Sequence, residues 1–367
     1  MPRRVWLAAA ELHYRPGIRL HTASSGAIDA LSEVYLLVED GGDIVAGASV
    51  RTNIEYLTGM PEAELRKAIV ELVAALDWKS DFGRLRRHLD HVGIRPPAAA
   101  RDLVDCLLLD GLARSRGQPL ATYLGGDFTA RIATNQTLFW GDDAALEVNL
   151  RHYVAEGFTD LKLRVGIASF ADDLRRVGVV RDIAGPKATI AVDANGTWPA
   201  EMALSYLEAF ASAGVAYVEQ PIPPGDWHAI GQLAAASPVP IMLDESIASP
   251  SDVEELARHR AAPLAHLKLV KLGGIAPLLK AARQLSEAGI GIMVGQMNEG
   301  ALATAAAAHA ALAARPKYAE LYGAYGLLDD PGAGISYEDG KLLLPGGAGL
   351  GVQIDPSRLT MLWEKTL

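Results

Sequence analysis

The sequence predicts an α/β protein: a (β/α)8, TIM-like barrel with an N-terminal α+β capping domain that the C-terminal segment completes. Three observations predict it. From about residue 129 short apolar runs alternate with amphipathic helical stretches, the pattern of βαβ units and a parallel sheet. Eight such runs occur, the count for a closed barrel. Polar residues fall late in these runs and recur evenly: Asp193 to Glu219 is 26 residues, Glu219 to Asp244 is 25 and Asp244 to Lys268 is 24. In a barrel the C-terminal strand ends share one mouth, so this placement gathers those side chains.

Residues 1–128 form the expected capping domain. There "SEVYLLVEDGGDIVAGASV" reads as two strands joined by a Gly-Gly turn, and "PEAELRKAIVELVAAL" and "PAAARDLVDCLLLDGLARSRG" read as amphipathic helices. Residues 129–325 carry the eight strand candidates: "RIATNQTLFW", "TDLKLRVG", "ATIAVDANGTW", "VAYVEQPIPP", "VPIMLDESIAS", "LAHLKLVKLGG", "GIGIMVGQMNEG" and "KYAELYG". Residues 326–367 lose the repeat. Their strand, turn and glycine-rich segment, "GISYEDGKLLLPGGAGLGV", is expected to return to the capping domain, and no helix follows its glycines as a nucleotide site requires.

Composition excludes several classes. The net charge is −10 with no basic stripe, which argues against nucleic acid as a partner. The Ala-rich run "GALATAAAAHAALAARP" is too short to span a bilayer and carries His309, so no membrane partner is expected. The N-terminal "MPRRVWLAAAELHY" has six apolar residues before Glu11, too few for a signal-peptide core. With a single cysteine, Cys106, no disulfide framework is possible, and a cytoplasmic setting is expected. Cys106 lies in an apolar helical pattern and reads as a buried structural thiol.

The candidate chemistry lies in the strand ends. Asp193 in "VDAN", Glu219 in "VEQP" and Asp244 in "LDES" end three successive strands. Carboxylates crowded at one mouth repel unless a cation sits among them, and carboxylates with water are the ligand set of Mg²⁺, with Mn²⁺ an alternative. Basic groups flank these acids: Lys162 and Arg164 on the strand before, Lys268 on the strand after. Lys162 and Arg164 are two residues apart in "TDLKLRVG", hence on one face of a strand, where two buried cations need something negative. A small substrate carboxylate held at the metal between the flanks fits that need. A lysine beside a divalent cation and other bases is expected to have a lowered pKa and to serve as a proton acceptor. Lys271, three residues after Lys268, is expected to point away from the barrel axis or into the loop. Asn195 shares the face of Asp193, and Glu245 is expected to turn from the metal and support its ligands.

At these residues the sequence resembles the enolase superfamily, specifically the mandelate racemase and muconate lactonizing enzyme group. The resemblance runs through "KLRVG", "VDAN", "VEQPI", "LDES", "LKLVKLGGI", "AELYG" and "GLGV" and covers nearly the whole chain. It implies that Asp193, Glu219 and Asp244 bind Mg²⁺, that Lys268 is the lysine on the far side of the site, and that Lys162 and Arg164 match the family's Lys-x-Lys pair. The histidine of the mandelate racemase branch has no counterpart in "VGQMNEG", and "MNEG" with "AELYG" looks most like the cycloisomerase branch, with Glu299 at the substrate carboxylate or a lysine. Arginine at position 164 departs from the pattern. It is a poor base and a good carboxylate clamp, so one-base chemistry through Lys268 is expected: a proton taken or returned beside a carboxylate through an enediolate. Epimerisation or racemisation of N-acyl amino acids or dipeptides, acid-sugar dehydration, and a silent carboxylate-binding barrel are the alternatives. The family's capping loops imply that Arg19, His21, Ser24, Ser25 and Tyr56 read the distal part of a substrate. Asn135 and Thr137 share one face of the first strand and Thr134 and Gln136 the other; the spacing leaves open which pair lines the pocket. A homo-oligomer is expected by the same resemblance.

Overall fold

The structure, a computed structural model, describes residues 3–367. Eight parallel strands run in sequential order: Gln136–Leu138, Asp160–Arg164, Thr189–Asp193, Val218–Glu219, Ile241–Leu243, Leu264–Lys268, Gly291–Gly295 and Tyr318–Glu320. They are called the first to eighth barrel strands below. The first and eighth are joined by the Asn135 amide on the Ala319 carbonyl (3.0 Å) and the Leu321 amide on Thr134 Oγ1 (2.7 Å), which closes the barrel. Several outer helices start at the residue that caps them: Asp142, Ser169 and Asp226 each accept a backbone N–H three residues on.

Strand alternation sorts the interior into layers. Ala191, Tyr217, Met242, Leu264 and Met293 pack together as an apolar plug. Two residues further along their strands, Ala191 gives way to Asp193, Tyr217 to Glu219 and Met242 to Asp244. The polar layer therefore rests on a dry floor at the C-terminal mouth.

The "RIATNQTLFW" run is two strands rather than one. Gln136–Leu138 joins the barrel, while Arg131–Ala133 pairs antiparallel with Lys341–Leu343, itself half of a hairpin with Ser336–Glu338. The break between them is where the closing bonds at Thr134 and Asn135 turn the chain into the barrel.

The capping sheet has the order Thr360–Thr366, Arg4–Leu12, Leu31–Asp40, Asp43–Arg51, all antiparallel. Gly41 and Gly42 make its tight turn with φ of 65° and 100°, the two positive values a right-twisted two-residue hairpin needs. The helix Ala98–Ser115 ties the parts together: Asp110 accepts from the Gly47 amide (2.9 Å) in the capping sheet and the Leu350 amide (2.7 Å) in the C-terminal segment. Cys106 in that helix is buried, and burial with Asp102 and Asp105 beside it holds the thiol well above its usual range. No helix among the described residues is long and apolar enough to cross a membrane.

Candidate active site

Strand register sets the carboxylates side by side. Arg164 lies across from Asp193, and Asp193 across from Glu219, at neighbouring strand ends. Asp244 follows the last residue of the fifth strand. Gln220, with φ of 37°, fixes that position: its Oε1 accepts from the Asp244 and Ser246 amides, both at 3.1 Å. The sequence reading gave Gln220 no role.

Lys162 and Arg164 face protein carboxylates. Lys162 is fully buried, with its Nζ 3.0 Å from Glu219, 3.8 Å from Asp193 and in contact with Glu320. Arg164 contacts Asp193 and lies 3.9 Å from Glu320. Burial favours the neutral amine of Lys162, but Glu219 and Glu320 outweigh it and hold the ammonium well above its usual range. On the sixth strand Lys268 donates to Asp244 Oδ2 at 2.7 Å. Burial again opposes charge, and Asp244 and Glu320 again outweigh it, so the Lys268 ammonium is also held well above its usual range. Without a divalent cation beside it, the amine answers to its carboxylates.

Lys271 corrects the sequence reading. It lies on a one-turn helix, Leu269–Leu272, instead of a continued strand. That turn swings its ammonium onto Asp244, 2.7 Å from Oδ1 and in contact with the backbone carbonyl. Asp244 therefore holds two lysines. Its carboxyl is kept well below the usual carboxylate range: burial pushes it up, but Lys268, Lys271 and His266 outweigh that.

Two further residues escaped the sequence reading. Glu320 ends the eighth strand, bonds Lys162 and accepts from Asn135 Nδ2 at 3.0 Å; its position at a strand end, like those of the other acids, was the available signal. His266 lies two residues before Lys268 and shares its face. Its Nδ1 is 2.9 Å from Glu219, its Nε2 has no partner, and a Cβ at Gly295 would come within 2.0 Å of that nitrogen. Gly295 is what leaves room for the ring.

Glu219, Asp244 and His266 each present a ligand atom within 4.8 Å of the others, a buried group able to hold a divalent cation. Beside Asp244, Asn195 Nδ2 donates to Glu245 Oε1 at 3.0 Å, while Asn195 Oδ1 and Glu245 Oε2 are buried without partners. Orphaned oxygens next to carboxylates suit a hard cation. Asp193 stands apart from this cluster because Arg164, beside it in register, takes its oxygen.

A cavity of about 70 Å³ opens at the mouth, lined from the barrel by Arg164, Asn195, Asp244, Glu245, Lys268 and Glu320 and from the capping lobe by Thr22, Ser24, Ser25, Arg51 and Tyr56. Larger clefts of about 670 and 500 Å³ lie elsewhere and are lined by none of these carboxylates. Lys162 lies below the cavity. Asn135 and Thr137 point into the barrel beneath it, Asn135 onto Glu320. His21 and Arg19 line the cleft of about 670 Å³. Glu299 does not line the mouth cavity; its carboxyl accepts from the Met297 amide at 3.2 Å.

The profile of the enolase C-terminal domain-like family matches residues 145–358. The chain belongs to the mandelate racemase and muconate lactonizing enzyme group of the enolase superfamily. As a member it is an isomerase-type enzyme whose relatives act on small carboxylates. A chloromuconate cycloisomerase of Pseudomonas putida is 34% identical over 310 residues, covering 81% of this chain and 82% of the relative. The muconate lactonizing enzyme of Pseudomonas fluorescens, solved with muconolactone, superposes with a TM-score of 0.88 at 28% identity, covering 96% of each chain. A dipeptide epimerase of Cytophaga hutchinsonii, solved with Mg and the dipeptide D-Ala-L-Val, gives 0.89 at 25% identity over 99% of each chain.

Proposed function

We propose that this enzyme takes or returns a proton on the carbon beside a substrate carboxylate, using Lys268 as its only base, in a cycloisomerase-type reaction. One observation carries the proposal: Arg164 and Lys268 both line the mouth cavity, on the second and sixth of eight strands, so they reach it from opposite walls. One wall offers an amine that can exchange a proton. The other offers a guanidinium, which holds charge and keeps its protons.

Glu219 and Asp244, joined by Asp193 once Arg164 turns from it to a substrate carboxylate, would hold Mg²⁺, which when bound supplies the positive charge that makes the proton beside a carboxylate acidic. The chain's own groups do the rest. Lys162, Arg164, Lys268 and Lys271 face Asp193, Glu219, Asp244 and Glu320 with Glu245 beside them, so a divalent cation still leaves surplus positive charge for an anionic substrate to neutralise. Once the charge of Asp244 is taken up, Lys268 and Lys271 lose their shared counter-ion. Their repulsion then favours the neutral amine on Lys268, the form that accepts a proton. Arg164 fixes the substrate carboxylate. Asn195 braces Glu245, and His266 holds Glu219 in position. A cytoplasmic setting and a symmetric oligomer belong to the same proposal; the free, buried Cys106 supports the first.

The dipeptide epimerase likeness favours a second reading, epimerisation, which needs proton exchange on both faces of the carbon. Exchange in D₂O with Mg²⁺ decides, read by mass spectrometry on muconates, N-acyl amino acids and dipeptides. One-face exchange that vanishes in Lys268→Ala upholds the proposal. Exchange on both faces would make the wall at Arg164 a working base and give the epimerase reading.

A further inference from the structure

The loop that follows the capping strand Arg4–Leu12 is pinned at its root to the C-terminal segment. Tyr14 bridges Leu327, and the Arg15 amide donates to the Gly326 carbonyl at 2.8 Å. Beyond Gly17, whose φ is 96°, the chain enters the hairpin Leu20–Thr22 and Gly26–Ile28. That hairpin carries Thr22, Ser24 and Ser25 to the mouth cavity. Backbone bonds tie the loop lightly to the barrel: Asn149 Nδ2 donates to the Gly17 carbonyl at 3.1 Å, and the Trp140 amide to the His21 carbonyl at 3.0 Å. The side chain of Arg15 adds a tie of a different kind.

Arg15 Nη2 meets Nε2 of His152, on the barrel helix Asp143–Ala155, and donates to Tyr325 Oη at 2.7 Å. Its guanidinium carbon lies 4.9 Å from the centre of the Tyr325 ring. The same His152 Nε2 is 3.2 Å from Glu156 Oε1, four residues on, and 3.0 Å from Tyr325 Oη, which donates to Glu156 Oε2. The Tyr153 ring lies 6.0 Å away, tilted. One nitrogen thus faces a guanidinium, which can only donate, and a carboxylate, which can only accept. It cannot satisfy both. Unprotonated, it accepts from Arg15 and turns a lone pair towards Glu156. Protonated, it donates to Glu156 and sets a second positive charge against Arg15. Histidine is the side chain that changes charge between about pH 5 and 8. His152 is 40% exposed, so protons reach it from water.

We propose that His152 is a proton-operated catch for this loop. Unprotonated, it holds Arg15 and so keeps Thr22, Ser24 and Ser25 at the mouth. Protonated, it turns to Glu156 and leaves Arg15 with Tyr325 alone. The loop then opens more often, and the mouth exchanges its contents faster. The catch works whatever reaction the barrel performs, because Arg15, His152, Glu156 and Tyr325 all lie outside the mouth cavity. Other histidines sit on the loop itself. His13 Nδ1 lies 2.7 Å from Asp329 Oδ2 at the root, where protonation strengthens the pair and so acts in the opposite direction. His21 lines the cleft beside the loop.

Hydrogen–deuterium exchange read by mass spectrometry tests this at about pH 5.5 and about pH 8, either side of a histidine's charge change, with labelling times scaled to the intrinsic rate. In the wild type the peptide spanning residues 16–26 should lose protection about fivefold at the lower pH, what one partly exposed hydrogen bond is worth. The helix Ala98–Ser115 should not change. His152→Gln keeps an acceptor and removes the titrating proton, so it should abolish the pH difference. Arg15→Met should leave the loop poorly protected at both pH values. His13→Asn and His21→Asn should keep the difference. Equal protection of the wild-type loop at both pH values, or a difference that survives His152→Gln, would overturn the catch. So would a difference that vanishes in His13→Asn or His21→Asn, which would move the switch to that histidine. If His152→Gln fails to fold, Arg15→Met decides: a pH difference that persists without the guanidinium overturns the catch.

Discussion

Lys162 and Lys268 are both lysines near the mouth end of a barrel strand, four strands apart, and are 0% and 5% exposed. Lys162 sits among Asp193, Glu219 and Glu320 below the cavity. Lys268 touches Asp244, shares it with Lys271, and lines the cavity. The same residue type thus meets two different surroundings. A cation enclosed by three carboxylates is an electrostatic keystone, fixed in its charge. A cation that shares one carboxylate with another cation is poised to lose its proton once that carboxylate is engaged elsewhere. Counting basic residues around an acid cluster does not separate these cases; the ratio of partners does.

The contrast can be broken most sharply by comparing two truncations. Lys268→Ala should cut kcat/KM by about 10³-fold, the middle of what a positioned acid–base group contributes. Its unfolding free energy should change little, because Lys271 still pairs with Asp244. Lys162→Met should do the reverse in stability, losing about 4 kcal/mol by urea unfolding, since it leaves three buried carboxylates without their shared cation. Equal stability losses in the two variants would show that the flanks are equivalent.

A pH background must be known before either flank is titrated. His309 is buried, and its Nδ1 accepts from the Ala121 amide at 3.0 Å. Burial, opposed by the Leu350 carbonyl, depresses the imidazole to about 4. The unfolded chain, with its histidine near 6.5, binds more protons in between. Stability is therefore full above about pH 6.5 and falls as the pH drops towards about 4, by about 3 kcal/mol. His309→Asn, whose amide oxygen can replace the acceptor, should flatten that acid limb in a series of urea melts from pH 4 to 7. An unchanged limb would assign the acid lability to the barrel carboxylates.

The smallest expected effect sharpens the sixth-strand flank. Gly295→Ala forces a methyl onto His266 and should cost about 2 kcal/mol, as overpacking does. His266→Asn should recover most of that loss in a double-mutant cycle. Additive losses would mean that Gly295 does not exist to seat the imidazole.

The sequence by itself determined the barrel, its mouth and the acids there. Alternation with a period of two and the 24- to 26-residue spacing fix which residues end the strands, and those are local properties of the chain. It also carried the expectation that Arg164 is no base, since a guanidinium is a poor base wherever it is placed. Only the tertiary structure decided which cation meets which anion. Lys271 reached Asp244 because the chain turned helical after Lys268, a backbone choice that spacing did not encode. Glu299, singled out from its motif, turned to the Met297 amide, while Glu320 took the place beside Lys162. Arg51 and Glu33 stand opposite in register yet do not pair, because the Gly300 amide competes for the carboxylate. Charge pairing falls steeply with distance and depends on what else is buried nearby. It is settled by where the strands and loops bring side chains together in space.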